Sequence, residues 1–157
     1  MAKIVKKLHL SSELTEINIE IIPLKALADR EWASIRGLTG MVYTPHIDAY
    51  MQVSIKKAEI LACLKNQKIL PLSEVERVSA ILDNEYKGAR TNTIVKYAGK
   101  QYKRQFSPLK LSKSGKNVQK WAKFWLLQLS DGRSDPSWES QVREIWPTYF
   151  LIRTIDL

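Results

Sequence analysis

The chain has 157 residues, with 25 basic and 16 acidic side chains, so its formal net charge is +9. Its single cysteine excludes an intramolecular disulfide framework and a cysteine-based zinc site. No stretch approaches the about 20 consecutive apolar residues of a membrane span. The apolar share of 45% is ordinary for a globular protein, so we expect one soluble, cytoplasmic α+β domain over residues 1–157, with no membrane partner.

Residues 1–54 are predicted to form mainly strands. The first predicted strands cover residues 3–10 and 16–22, and in the second Ile17, Ile19 and Ile21 alternate with polar residues until Pro23 ends the strand. A short helix is expected over residues 24–35. Two further strands, residues 41–43 and 48–54, are expected on either side of a turn at Thr44-Pro45-His46.

Residues 55–88 change to a helical period and predict a pair of helices. Ser54 is placed to cap the first helix, Ile55–Lys65. The second helix has a clearer start, because Ser73 and Glu76 have the spacing of a capping box. Gly88 is expected to end it.

Residues 89–130 predict a basic hairpin, a loop and a helix. Residues 91–97 and 101–106 are strand-like, and Ala98-Gly99-Lys100 joins them as a short turn. A flexible loop over residues 107–116 leads to a helix over 118–129, in which Trp121 and Trp125 share a face. Residues 131–157 are expected to form a loop, a short helix over 138–146 and a closing strand over 149–155.

The positive charge is concentrated in the second half of the chain. Residues 1–84 carry a net charge of +1 and residues 85–157 a net charge of +8. Between Lys87 and Lys123 there are eleven basic residues and no acidic residue. Basic side chains without acidic neighbours favour phosphate binding, because each phosphate contact releases condensed counterions. Surfaces that serve solubility alone usually intersperse both signs.

This pattern predicts a non-enzymatic nucleic-acid-binding protein, with DNA and RNA both open as partners. The residues expected to contact phosphates are Lys96, Lys100, Lys103, Arg104, Lys110, Lys113 and Lys116. Tyr102 and Gln105 are candidates for base contacts, since Tyr can stack on a base and Gln can pair with adenine. The two histidines lack partners at metal-ligand spacing, so neither a metal nor a cofactor is expected.

The run Thr93 to Phe106, followed by a loop and a Trp-rich helix, resembles the ββα DNA-binding module of AP2-type factors and integrase arm-binding domains. The resemblance covers residues 90–129. It implies that one sheet face lies in the major groove while a helix packs behind the sheet. These families carry a three-stranded sheet, and here the third strand is expected only near residues 86–89.

Three other resemblances remain as alternatives. Two helices followed by a hairpin are similar to a winged helix, with Ser73 to Tyr86 as the recognition helix. Residues 6–10, 42–45 and 149–157 look like the strands of small accessory subunits of type III CRISPR effector complexes. That resemblance implies a non-catalytic subunit of an RNA-guided ribonucleoprotein in antiviral defence, with neighbouring protein subunits as partners.

The third alternative is a Mg²⁺-dependent nuclease. Glu85-Tyr86-Lys87 together with Asp48 is similar to the acid and acid-x-Lys elements of PD-(D/E)XK nucleases. The resemblance implies that Asp48 and Glu85 bind the metal while Lys87 orients water or stabilises charge. It requires the three residues to meet at the end of a sheet, although residues 82–87 are predicted to be the end of a helix.

Overall fold

The computed structural model describes residues 8–38 and 42–152. Its elements are α1 (Ser11–Ser34), α2 (Pro45–Asn66), α3 (Glu74–Glu85), β1 (Ile94–Tyr97), β2 (Lys100–Leu111), β3 (Val118–Gln128), α4 (Pro136–Ile145) and a short 3₁₀ helix (Pro147–Phe150). The predicted α+β class with an antiparallel sheet is confirmed. None of these described helices is long and apolar enough to cross a membrane.

The chain divides into two compact units. The first contains the described residues up to Arg36 together with Tyr43–Pro71, and the second contains Leu72 onward with the described residues of 37–42. The first unit is therefore built from α1 and α2, and the second from α3, the three strands, α4 and the 3₁₀ helix.

The first unit is an antiparallel helical hairpin. Ile17, near the start of α1, packs with Ile60 and Leu64, near the end of α2, and all three are buried. At the opposite end, the Glu31 carboxylate accepts hydrogen bonds from the backbone N–H groups of His46 and Ile47, at 3.2 and 3.0 Å. A carboxylate at this position satisfies orphan donors of α2 and complements its helix dipole.

The strands predicted within residues 1–54 are wrong. Residues 16–22 belong to α1 and residues 48–54 to α2, while residues 8–10 and 42–44 form no strand. The remaining residues of those predictions, 3–7 and 41, lie outside the described part. Thr44-Pro45-His46 is the start of α2, with Pro45 in the first turn, where its missing N–H costs nothing.

The isoleucine alternation was misleading because the same segment also carries a helical period. Ile17 is 2% exposed, whereas Ile19 is 68% exposed, so the three isoleucines do not share a buried face. The inward positions of α1 follow helical spacing instead, through Leu14, Ile17, Ile21, Leu24 and Ala28. The helix continues through Pro23, which cannot donate a hydrogen bond to the carbonyl of Ile19.

The predicted helical pair is confirmed in its main features. The segment Ile55–Lys65 is the second half of α2, although Ser54 lies inside this helix rather than at its cap. The capping box of α3 is present, with Ser73 Oγ accepting from the Glu76 N–H and the Glu76 carboxylate accepting from the Ser73 N–H. The helix ends at Glu85, three residues before Gly88.

The second unit contains a three-stranded antiparallel sheet in the order β1-β2-β3. The predicted first hairpin is confirmed, with Ile94 opposite Lys103 and Tyr97 opposite Lys100. Its turn uses positive φ at Ala98 (50°) and Gly99 (79°), the geometry of a tight hairpin turn. The first half of the predicted loop is strand, because β2 continues to Leu111 and only residues 112–117 form the turn into β3.

The predicted helix over residues 118–129 is wrong, since these residues form β3. Trp121 and Trp125 also share a face in a strand, where residues separated by an even number point the same way. Ala122, Phe124 and Leu126, on the opposite face of the strand, are buried as well. Apolar residues therefore occur on both faces, and the sequence lacks the apolar–polar alternation by which a half-buried strand is predicted. The third strand is therefore β3 and not residues 86–89, and the basic unit is a meander rather than ββα.

The predicted short helix near Trp138 is confirmed as α4, which Asp135 caps by accepting from the N–H groups of Ser137 and Trp138. The predicted closing strand over residues 149–155 is wrong in its described part, because residues 149 and 150 end the 3₁₀ helix and residues 151–152 form no strand; residues 153–157 lie outside the described part. The indole N–H of Trp138 donates to the carbonyl of Trp125 at 2.9 Å. This bond helps to cover the free edge of β3, where unpaired backbone groups would otherwise attract another strand.

A polar node joins α3 to the sheet. Asp83 Oδ1, on α3, accepts from Arg104 Nη1 of β2 at 2.7 Å and from the Trp125 indole N–H of β3 at 2.9 Å. Arg104 is 5% exposed, Trp125 is fully buried, and the guanidinium carbon lies 4.7 Å from the centre of the indole ring. The Asp83 carboxylate thus supplies the charge that the buried guanidinium requires.

Replacing Asp83 tests this node. We expect Asp83→Ala to lower the free energy of unfolding by about 3 kcal/mol, because it leaves Arg104 buried without its counter-charge. Asp83→Asn retains an acceptor for Trp125 and should cost less. Urea denaturation measures both, with Glu139→Ala as the control, since the Glu139–Arg143 pair is exposed and should contribute less than about 1 kcal/mol. Equal losses for Asp83→Ala and the control would contradict the role of the node.

Candidate nucleic-acid interface

The basic residues between Lys87 and Lys123 are mostly accessible. All are exposed except Lys103, which is half-buried, and Arg104, which is buried. Within the described residues, Arg104 is also the one member of this group that forms an ion pair with an acid. The acid-free segment of the sequence therefore supplies a set of uncompensated positive charges on the second unit.

Two of the predicted contact residues, Tyr102 and Arg104, are not accessible to a ligand. Tyr102 is 2% exposed, and its ring lies 5.3 Å from that of Trp138. Burial, with a smaller effect from the Glu74 charge, raises the pKa of the Tyr102 hydroxyl. Arg104 belongs to the Asp83 node. Both residues stabilise the core, which corrects their assignment to the contact surface.

The other face of β1 and β2 remains largely open. Lys96 is opposite Gln101 and Ile94 is opposite Lys103, and these residues with Gln105 form what we call the open sheet face. Ile94, Lys96 and Gln101 are exposed, and Lys103 and Gln105 are half-buried. The sequence placed Lys103 and Gln105 in the contact set, and the structure brings them together with Lys96 on one surface. Gln105 Nε2 donates to Asn92 Oδ1 at 3.2 Å.

A second basic surface is the hairpin formed by the end of β2, the turn and the start of β3, residues 107–123, which we call the basic hairpin. It carries the predicted contact residues Lys110, Lys113 and Lys116 and also Lys120 and Lys123, all exposed. The turn is closed by a hydrogen bond from the Ser112 N–H to the Asn117 carbonyl. Lys100 lies elsewhere, at the exposed start of β2.

Two lysines of the basic hairpin face each other across the strands. Lys110 of β2 is the cross-strand partner of Lys120 of β3, and the register shifts on both sides of this pair. Like charges in directly opposed positions destabilise a strand pair. An anion bound between or beside the two lysines would reduce this repulsion.

The basic hairpin also carries exposed aromatic surface. Trp121 is 47% exposed, and its ring centre lies 6.5 Å from that of Phe106. Lys123 Nζ lies 5.2 Å from the Phe106 ring centre. The neighbours of Trp121 in the sequence, Gln119, Lys120 and Lys123, were the signal that it does not lie on an apolar helix face.

The other tryptophans of the second unit serve packing. Trp138 is 5% exposed, and Trp146 stacks on Tyr149 with ring centres 5.8 Å apart and an interplanar angle of 7°. Burial, followed by the negative charge of Asp83, raises the pKa of Tyr149. The 3₁₀ helix is held to the sheet by a hydrogen bond from Ser107 Oγ to the Tyr149 carbonyl, at 2.7 Å.

The residues of the nuclease alternative do not have the layout that the resemblance requires. Asp48 lies in the first turn of α2 in the first unit, whereas Glu85 is the last residue of α3 in the second unit. Lys87 lies in the turn that follows α3, so the acid-x-Lys element is not on a strand. Among the described residues, no three His, Cys, Asp or Glu side chains form a group able to hold a metal ion.

No protein-family model, curated protein or solved structure matches the chain. Any functional conclusion therefore rests on the side chains of the two basic surfaces.

The repulsion between Lys110 and Lys120 gives a direct prediction. Lys120→Glu should raise the free energy of unfolding of the second unit by about 0.2–1 kcal/mol, because it converts a like-charge cross-strand pair into an opposite-charge pair. The gain should fall in 1 M salt, where the Debye length is about 3 Å.

The matched control is Lys113→Glu, which makes the same charge change in the hairpin turn, outside the paired strands. Urea denaturation at low and high salt measures both variants. If Lys120→Glu is no more stabilising than Lys113→Glu at low salt, the two opposed lysines do not repel each other appreciably.

Proposed function

We propose that this protein binds nucleic acid through the basic hairpin, with the open sheet face as an additional contact surface. The observation that carries the proposal is the direct opposition of Lys110 and Lys120 within a hairpin that has no acidic residue. Lysines kept together at a cost in stability are best explained by a partner with closely spaced negative charges, and a phosphodiester backbone is such a partner.

The lysines of the hairpin suit backbone contacts. Each places a compact charge on a flexible four-carbon stem, so it can follow phosphates of varied position without reading sequence. Lys113 and Lys116 lie in the turn, and Lys110 and Lys120 lie where the paired strands begin. The four charges therefore occupy one end of the hairpin, which concentrates the electrostatic attraction there.

The open sheet face adds groups that can hydrogen-bond to bases. Gln101 and Gln105 carry both donors and acceptors, and Lys103 lies between them on the same face. A three-stranded sheet with a polar face is a feature that the AP2-type and integrase resemblance implies. The helix that the resemblance placed at residues 118–129 is a strand instead, so the sheet alone supports the proposal.

The alternatives have less support. The accessory-subunit resemblance depended on strands at residues 6–10, 42–45 and 149–157, and their described residues form none. In the winged-helix alternative, α3 would be the recognition helix, yet Val75, Val78 and Leu82 are buried and Glu74 is exposed. If the protein were a subunit of a larger nucleoprotein complex, the basic hairpin would still be its phosphate-binding surface. Other protein subunits are therefore compatible with the proposal as partners.

Salt-dependent binding tests the proposal. The triple variant Lys110→Gln, Lys116→Gln and Lys120→Gln should bind a fluorescein-labelled oligonucleotide more weakly than the wild type. The slope of log K against log salt should become shallower by about 2–3, at about 0.7–0.9 for each lost phosphate contact. Fluorescence anisotropy between 50 and 200 mM salt measures both quantities.

The control variant carries the same change in net charge on the first unit: Lys25→Gln, Lys56→Gln and Lys68→Gln, all at exposed positions. It should retain nearly the wild-type slope. If both triple variants lose affinity equally, only the net charge attracts nucleic acid. If the wild type shows no binding at 50 mM salt, the proposed function is wrong.

A further inference from the structure

Trp121 is the most unusual residue of the basic hairpin. Trp125 lies on the same face of β3 and is fully buried, whereas Trp121 is 47% exposed. Trp125 is opposite Arg104 and is covered by Tyr86 and Asp83, whereas Trp121 is opposite Pro108, nearer the turn. A large indole left half-exposed contributes little to the core and offers a flat surface to a ligand.

The surroundings of Trp121 combine aromatic surface with positive charge. Phe106 lies at 6.5 Å between ring centres, and Lys123 is placed over the Phe106 ring. Lys123 lies two residues after Trp121 in β3, so it shares the face of Trp121, whereas Lys120 points to the opposite face of the strand. An aromatic surface with a cation on the same face is an arrangement that binds a nucleotide, with the base on the ring and the phosphate on the lysine.

We propose that the basic hairpin binds nucleic acid with unpaired bases and stacks one base on the exposed face of Trp121. This inference rests on the proposed function and specifies its ligand class. In a duplex, both faces of each internal base are covered by its neighbours, so no face is free to meet an indole. A single strand, a loop or a frayed end offers such a face for every base type, and binding is therefore tolerant of sequence.

An anionic membrane surface is the other ligand that a tryptophan among lysines could meet. The turn of the hairpin disfavours it, because residues 112–117 (Ser-Lys-Ser-Gly-Lys-Asn) contain no apolar side chain to enter the acyl region. Nucleic-acid binding requires no such insertion, since the lysines contact phosphates on the outside of the strand.

The test compares three ligands of equal length: a dT oligomer, the same phosphodiester backbone with abasic sites, and a dT–dA duplex. The wild type should bind the dT oligomer more tightly than either of the other two. Trp121→Ala should weaken dT binding by about tenfold, the loss of one base–aromatic stack. Its affinity for the abasic oligomer should be unchanged, because phosphate contacts do not involve the indole.

Two control variants accompany this experiment. Trp121→Phe retains an aromatic face and should recover most of the affinity for the dT oligomer. Trp32→Ala removes an indole of similar exposure (41%) from α1 and should leave all three affinities unchanged. Thermal melting by circular dichroism verifies that each variant is folded.

The outcomes separate the two proposals. If Trp121→Ala weakens binding of the abasic and dT oligomers equally, Trp121 only supports the hairpin, and the stacking inference is wrong. If the wild type prefers the duplex and Trp121→Ala has no effect, that inference also fails, while a loss in the triple lysine variant still supports nucleic-acid binding. If no oligomer binds but vesicles of anionic lipid do, both proposals are wrong.

Discussion

The second unit depends on the two hydrogen bonds that Asp83 Oδ1 accepts, one from Arg104 and one from Trp125. A guanidinium that is 95% buried is costly without a counter-charge, and the half-exposed Asp83 side chain supplies it from the surface of α3. The same oxygen satisfies the indole N–H of the fully buried Trp125. The node therefore ties α3 to the two longest strands at adjacent positions, and those strands continue into the basic hairpin.

A division of roles along β2 and β3 follows from this arrangement. Near the node, both strands contribute large buried side chains to the core, including Tyr102 and Trp125. Toward the turn, the same strands carry lysines and the half-exposed Trp121. Much of the excess positive charge thus lies on the basic hairpin, whose strands are held by the packed core around the node. This limits the entropy lost when a ligand orders the lysine side chains.

Local signals in the sequence predicted local structure well. The capping box of Ser73 and Glu76 and the positive-φ turn at Gly99 each depend on a few neighbouring residues, and both are present. Features that depend on contacts between residues far apart in the sequence could not be predicted from such local signals. A four-residue spacing such as Trp121 to Trp125 is compatible with one face of a helix and of a strand. Tyr102 and Lys103 alternate along β2, and the helices packed on the sheet decide which of them is buried.

An NMR titration of ¹⁵N-labelled protein with a short dT oligomer shows where on the protein the ligand binds. We expect the largest amide shifts within residues 107–123, with the indole N–H of Trp121 among the most strongly shifted signals. Smaller shifts are expected on the open sheet face. Shifts confined to α1 and α2, or none at saturating oligomer, would show that the basic hairpin is not the binding site.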